Sequence, residues 1–214
     1  MAHSATVPAS APPAAEKREA ILAAALRLIA RLGLHNTPVS AVAREAGVAA
    51  GTLYLYFPSK EAMINALYLD VLADRHRKLM SKPPAHAELA DPHRALMWHH
   101  WRALARWHLD HEDASNLIVQ CRASGILTEE TRAIEQANDA DGHAMFRDAV
   151  AQGLLRDLSR HVFWALFAGP IFMLVQMRDA GEIRVTDAVL RTTFEGVCRS
   201  VLPADDAPHA HLPR

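Results

Sequence analysis

Histidine is the side chain in this sequence best equipped for chemistry near neutral pH, and there are thirteen of them. His108 and His111 stand at i, i+3, a spacing that shares a helix face, with His93, His99 and His100 upstream in the same segment. A metal site needs converging ligands held by supporting groups behind them. No tight His, Cys and Asp cluster of known spacing accompanies these histidines, so no metal and no cofactor is expected. Cys121 and Cys198 lie far apart without a CxxC pair, which argues for a reducing cytoplasm rather than a disulfide scaffold. Cys121, beside Arg122, would serve as a redox sensor only if its thiol were acidic and exposed. Catalysis has no better footing. The chain lacks GxSxG, a glycine loop to cradle phosphate, and paired carboxylates on a plausible cleft face. An enzyme is not expected.

What remains is recognition without covalent chemistry, and that depends on the elements that position the contacts. Half of the residues are hydrophobic and 22% are charged, the balance of an ordinary globular protein. Charge is unevenly spread. Through Glu61 there are six bases (Lys17, Arg18, Arg27, Arg31, Arg44, Lys60) against four acids, leaving seventeen bases and twenty acids beyond. A mildly basic head on an acidic body suits a nucleic-acid contact at one end. Residues 1–15, rich in Ala, Pro and Ser, read as a disordered tail rather than a signal peptide, and 204–214 as a second one. The longest stretch free of acids and bases, His161 to Met177, contains Gly169-Pro170 and falls short of the ~20 residues of a membrane span. It reads as a buried helix, and no membrane partner is expected.

The hydrophobic period is helical almost throughout. Ile21, Ala25, Leu28, Ile29 and Leu32 make one stripe that stops at Gly33. Thr37 offers an N-cap and Pro38 a first helical position, followed by Val39, Val42, Ala43 and Ala46, stopped by Gly47. A third short segment covers about 49–56. Pro58 breaks it, and Ser59 can cap a longer helix carrying Met63, Ile64, Leu67, Val71 and Leu72. Beyond Pro83-Pro84, helices are expected over 91–111, 114–123, 128–154, 157–180 and 186–202, with no alternating strand. The fold class is therefore all-α.

Two short helices joined at a glycine form a helix-turn-helix. The first packs across the second and sets its angle, and the second enters the major groove. Val42, Ala43, Val48 and Leu53 fit the apolar wedge between them, and Gly47 allows the tight turn.

The run from Val42 through Gly47-Val48, Gly51-Thr52-Leu53-Tyr54-Leu55-Tyr56-Phe57 and Pro58-Ser59-Lys60-Glu61 resembles the signature of the TetR family of transcriptional regulators. Ala24-Ala25, Leu28, Gly33 and Thr37 stand at the family's spacing ahead of it, so the resemblance covers roughly residues 16 to 68. It implies a three-helix DNA-binding domain at 16–62 and a larger effector-binding and dimerisation domain at 63–203. Thr52, Tyr54 and Tyr56 sit where relatives touch phosphates and base edges, and Lys60 where a phosphate contact is common. Thr37 and Ser40 begin the supporting helix, and Lys17 and Arg18 can reach a flanking phosphate. This sequence departs from the pattern at Ala49, Ala50 and Leu55. Ala49 offers no cap oxygen, a loss of about 1 kcal/mol. Ala50 and Leu55 would meet thymine methyls rather than hydrogen-bonding edges, leaving much of the affinity to phosphates. The expected DNA-binding set is Lys17, Thr37, Ser40, Ala50, Gly51, Thr52, Tyr54, Leu55, Tyr56 and Lys60.

In the body, the resemblance implies a homodimer built on the last two helices, through Phe163, Phe167, Ile171, Leu174, Val189, Phe194 and Val197. A dimer also suits the physics, since one short helix reads few base pairs and a two-fold pair reads a palindrome. Trp101, Leu104 and His108 share a helical face, and Met145, Phe146 and Phe167 would complete an apolar pocket for a small-molecule effector. The resulting expectation is a cytoplasmic repressor that leaves a palindromic double-stranded operator when its effector binds. A DNA-binding organiser or protein-interaction factor without an inducer is the other reading left open.

Overall fold

The computed structural model describes residues 14–79 and 91–203, and among these every regular element is a helix. Of the expected tails, residues 1–13 and 204–214 lie outside the described residues, as does the Pro83-Pro84 break, while Ala14 and Ala15, expected in the first tail, already belong to a helix. Backbone contacts divide the chain into two compact units: residues to Leu69 with Asn116–Thr128, and Asp70–Ser115 with the chain from Glu129 onward.

The first unit holds α1 (Ala14–Leu32), α2 (Val39–Glu45), α3 (Ala50–Tyr56) and the start of α4 (Lys60–Leu79). The stripe of α1 buries Ile21, Leu22, Ala24, Ala25, Leu28 and Ile29. It ends a turn sooner than its period suggested, because Leu32 is exposed. The start of α2 also differs from expectation. Pro38 occupies the cap position without a side-chain bond. Thr37 is 1% exposed and its hydroxyl donates to the Gly33 carbonyl at 2.8 Å, so it closes the end of α1 instead. Ser59 does cap α4, accepting from Ala62 N at 3.0 Å.

This unit also takes in the end of α6 (Glu112–Ser124), which the expected boundary at 62/63 did not anticipate. The reason is a set of polar ties among apolar neighbours. Gln120 Oε1 accepts from Leu34 N at 2.9 Å, and Arg122 Nε donates to the Tyr68 hydroxyl at 3.1 Å. Asn65 donates to the Ile126 carbonyl and accepts from Thr128 N, each at 3.0 Å. Met63, Ile64 and Tyr68 are fully buried, as are Leu117 and Ile118.

The second unit is built on α5 (Pro92–Asp110), α9 (Arg160–Asp179) and α10 (Asp187–Val201). Their core packs Trp101, Leu104 and Ala105 with Phe167, Ile171, Leu174, Leu190, Phe194 and Val197. Three side chains cap these helices as their types require. Asp91 accepts from Arg94 N, Ser159 from Val162 N, and Thr186 from Val189 N. By length and composition alone α9 could cross a membrane, at 20 residues and a mean hydropathy of 1.2. It instead buries Phe167, Ala168, Ile171, Leu174 and Val175 in this core.

The single helix expected over 128–154 is two, α7 (Glu129–Asn138) and α8 (Ala140–Ala151). Asn138 and Asp139 interrupt it, since short polar side chains compete with the helix backbone. The Asp139 N–H is shared between the Glu135 and Gln136 carbonyls, each at 3.2 Å, and its carboxylate pairs with Arg160 at the start of α9.

Pro170 lies inside α9 and brings no N–H to the ladder, so the Leu166 carbonyl four residues back lacks its helical donor. One residue on, the Phe167 carbonyl accepts the Trp101 indole N–H at 2.7 Å, tying α5 to α9 through a buried bond. Replacing Trp101 by Phe would remove that hydrogen bond, at a cost of about 1 kcal/mol before any change in packing is counted. Urea titration of the Trp101→Phe variant is expected to give a lower midpoint; an unchanged midpoint would mean the bond contributes nothing.

Candidate nucleic-acid interface

A seven-residue helix does not hold itself together in water, and α3 lacks even a capping side chain at Ala49. Tertiary packing holds it. Leu53 is fully buried, Val42 and Ala43 of α2 are buried, and Val48 is half-buried, so the expected wedge is present. The turn between the helices passes through Gly47 at φ +68°, a left-handed conformation that side chains rarely adopt. Val48 N bonds back to the Ala43 carbonyl at 2.9 Å, closing the turn. After α3 the chain is anchored by Phe57, which is buried, with the Arg18 guanidinium over its ring at 5.8 Å.

Burying Leu53 turns the opposite face of α3 outward. Ala50, Gly51, Tyr54 and Leu55 are exposed, and Thr52 and Tyr56 are half-buried at its edges. Leu55 is 85% exposed, more than any other large hydrophobic among the described residues, and Tyr54 is 52% exposed. Ser40 is exposed at the start of α2, and Lys17 is half-buried on α1. These residues all belong to the first unit.

One member of the expected set is placed otherwise, and a second, Lys60, is engaged through an exposed bond within the fold. Thr37 is withdrawn into the head, so its side chain has no surface from which to meet a phosphate. The Lys60 ammonium donates to the His35 carbonyl at 2.9 Å, bracing the loop before α2. The sequence reading missed Asn65 and Gln120, which tie the end of α6 to the head. Their only signal was a polar side chain set inside an apolar stripe. It also missed the exposed pair of Arg27 Nε and Glu45 Oε1 at 3.3 Å, which links α1 to α2.

In the body, Trp101, Leu104, His108 and Phe167 are buried, as an apolar lining would be, and Phe146 packs on Phe163 at 4.9 Å between ring centres. Met145 points away: it is 56% exposed and cannot line the same interior. Of the residues expected at a dimer surface, Phe167, Ile171, Leu174, Phe194 and Val197 are spent inside the protomer's own core. Phe163 and Val189 are half-buried. The exposed apolar residues of α9 are Val162, Ala165 and Met173 on one side of the helix and Trp164 on another. Apolar periodicity marks both faces of such a helix, and only packing tells them apart.

His108 and His111, neighbours by spacing, separate. His108 is buried with Nδ1 at 2.9 Å from Ser115 Oγ. His111 stacks on Trp107 and its Nε2 faces Lys78 Nζ at 2.9 Å. Burial pushes the His100 imidazole toward its neutral form, helped by His99 beside it. Among the described residues, no group of three metal-ligating side chains converges.

The matches to known proteins concentrate on the head. The family described as "Bacterial regulatory proteins, tetR family" matches residues 21–67. A fatty acid metabolism regulator protein of Bacillus subtilis is 48% identical over 48 residues, 22% of this chain and 25% of that protein. The HTH-type transcriptional regulator RutR of Escherichia coli is 43% identical over 56 residues, 26% of each chain. The matched region thus spans about a quarter of the length of these relatives. The fold likeness reaches further. A TetR family transcription regulator from Marinobacter aquaeolei superposes with a TM-score of 0.77 at 24% identity, covering 87% of this chain and 96% of that one. The fatty acid degradation regulator FadR from Bacillus halodurans does so with a TM-score of 0.65 at 18% identity, covering 88% and 96%.

Both cysteines are buried, and burial pushes the Cys121 thiol up to about 12 and Cys198 up to about 11. A thiol held protonated is a poor nucleophile. Neither should react with a thiol reagent at pH 8 in the folded protein, and both should react once it is denatured. Rapid modification of native Cys121 would reinstate it as a sensor.

Proposed function

We propose, from the match of residues 21–67 to the tetR family of bacterial regulatory proteins, that this chain is a cytoplasmic repressor that binds a palindromic operator as a homodimer and releases it when a small molecule enters the body. The observation that carries this reading is the outward face of α3, with Tyr54 and Leu55 exposed on a helix pinned by Leu53. The major groove accepts one helix of this width. Phosphate contacts come from groups around α3, namely Ser40, Thr52, Tyr56 and Lys17, which position the helix without specifying sequence.

The dimer rests on geometry and on α9. Seven residues of reading helix span few base pairs, and a second copy related by a two-fold axis doubles them. The exposed stripe of Val162, Ala165 and Met173 is the surface that pairs. The effector binds in the body interior around Trp101, Leu104, His108, Phe146 and Phe167, where apolar lining favours a hydrophobic or aromatic molecule. Effector and operator must then weaken each other reciprocally.

Two measurements test this. Fragments of the source genome captured by the purified protein should contain an imperfect palindrome, lost when Tyr54→Ala is used instead. Diffuse capture, equal in the variant, would point to an organiser or interaction factor. Separately, Val162→Glu with Met173→Glu should turn a dimer into a helical monomer in sedimentation equilibrium and abolish operator binding. A dimer that persists would place the interface elsewhere.

A further inference from the structure

Gly51 sits inside α3 at a position where nothing in the fold asks for glycine. Its φ is not in the left-handed region, and a Cβ built there meets no atom within 4 Å. That sets it apart from Gly47, whose φ of +68° requires a glycine. Inside a helix, glycine is the least favourable residue after proline, so here it weakens an already short element and returns nothing to the folded chain. One turn on, Leu55 stands on the same face, 85% exposed. Ala50 and Tyr54 border the pair, and both are exposed.

The chemistry of α3 narrows what this face can recognise. Its sequence, AGTLYLY, has no charged side chain and no Asn, Gln or Arg, the residues that pair bidentately with guanine or adenine in the major groove. Its only hydrogen-bonding side chains are Thr52, Tyr54 and Tyr56. The one apolar group that a base pair presents in that groove is the C5 methyl of thymine.

We propose that α3 meets the base-pair edges with bare backbone at Gly51 and discriminates sequence through contact of Leu55 with a thymine methyl. This rests on the reading of α3 as a DNA-reading helix. The missing side chain lets the helix settle close to the groove floor, and that closeness brings the Leu55 side chain onto the methyl. Burying a single methyl changes an affinity about fourfold, enough to favour one base pair over another at that step.

The test uses the full-length protein and a duplex selected from random DNA by it. Thymines are replaced one at a time by uracil, which removes the methyl alone, and binding is followed by fluorescence anisotropy. Native protein should lose about fourfold at one symmetric position in each half-site. Leu55→Ala should bind the thymine duplex more weakly and be indifferent to uracil there, the signature of a coupled pair. Gly51→Ala should melt about 2 °C higher yet bind every duplex more weakly, a combination that a purely structural glycine would not produce. The proposal is overturned if uracil matters nowhere, if Leu55→Ala stays sensitive to it, or if Gly51→Ala binds as well as native protein. A Leu55→Ala variant that changes oligomeric state while binding DNA normally would assign Leu55 to a protein contact and overturn it too. Should no duplex be enriched, the DNA reading falls with it; an enriched duplex indifferent to uracil removes this proposal alone.

Discussion

Everything in the head depends on one packing constraint: Leu53 is fully buried while its neighbours on both sides are not. A helix of seven residues is too short to persist on its own, so its direction is set by the side chain it buries. With Leu53 fixed against the apolar surface of α2, the remaining positions of α3 have only one way to point. Gly47 supports this by letting the chain turn without strain, and Phe57 fixes the exit. The exposed face of α3 is therefore a consequence of core formation, and its chemistry is whatever the sequence puts there. In this chain that is largely apolar.

The polar ties of α6 extend the constraint. Gln120, Arg122 and the partners of Asn65 attach the end of a helix that begins in the other unit. Side chains bonded to backbone groups cost more to separate than apolar contacts that can slide, because a separated partner is left unsatisfied. The head is thus built from two distant parts of the sequence, Ala14 to Leu69 and Asn116 to Thr128, and its integrity does not stop at the residues matched by the family signature.

Much of this could be read from residue order. The helical period, the glycine stops at Gly33 and Gly47, the cap at Ser59 and the wedge around Leu53 are local properties, and the structure has them. Thr37 misled because a threonine before a proline fits a cap by type, whereas its hydroxyl finds the Gly33 carbonyl one turn back. The expected helix over 128–154 overlooked the cost of consecutive Asn138 and Asp139. Five of the residues expected at a dimer surface lie in the protomer's own core for a deeper reason. On α9, apolar side chains cover more than one face, and periodicity cannot say which of Ile171 and Met173 points inward. Asn65 and Gln120 were missed because their partners are backbone groups far away in sequence.

The central claim is that two copies of α3 enter successive major grooves on one side of a duplex. Dimethyl sulfate protection of guanine N7 atoms on a captured fragment tests it most directly, since that atom lies in the major groove. The account predicts two symmetric clusters of protected guanines separated by about 10 base pairs or a multiple of that spacing. Protection without symmetry, or binding that leaves every guanine N7 reactive, would contradict it.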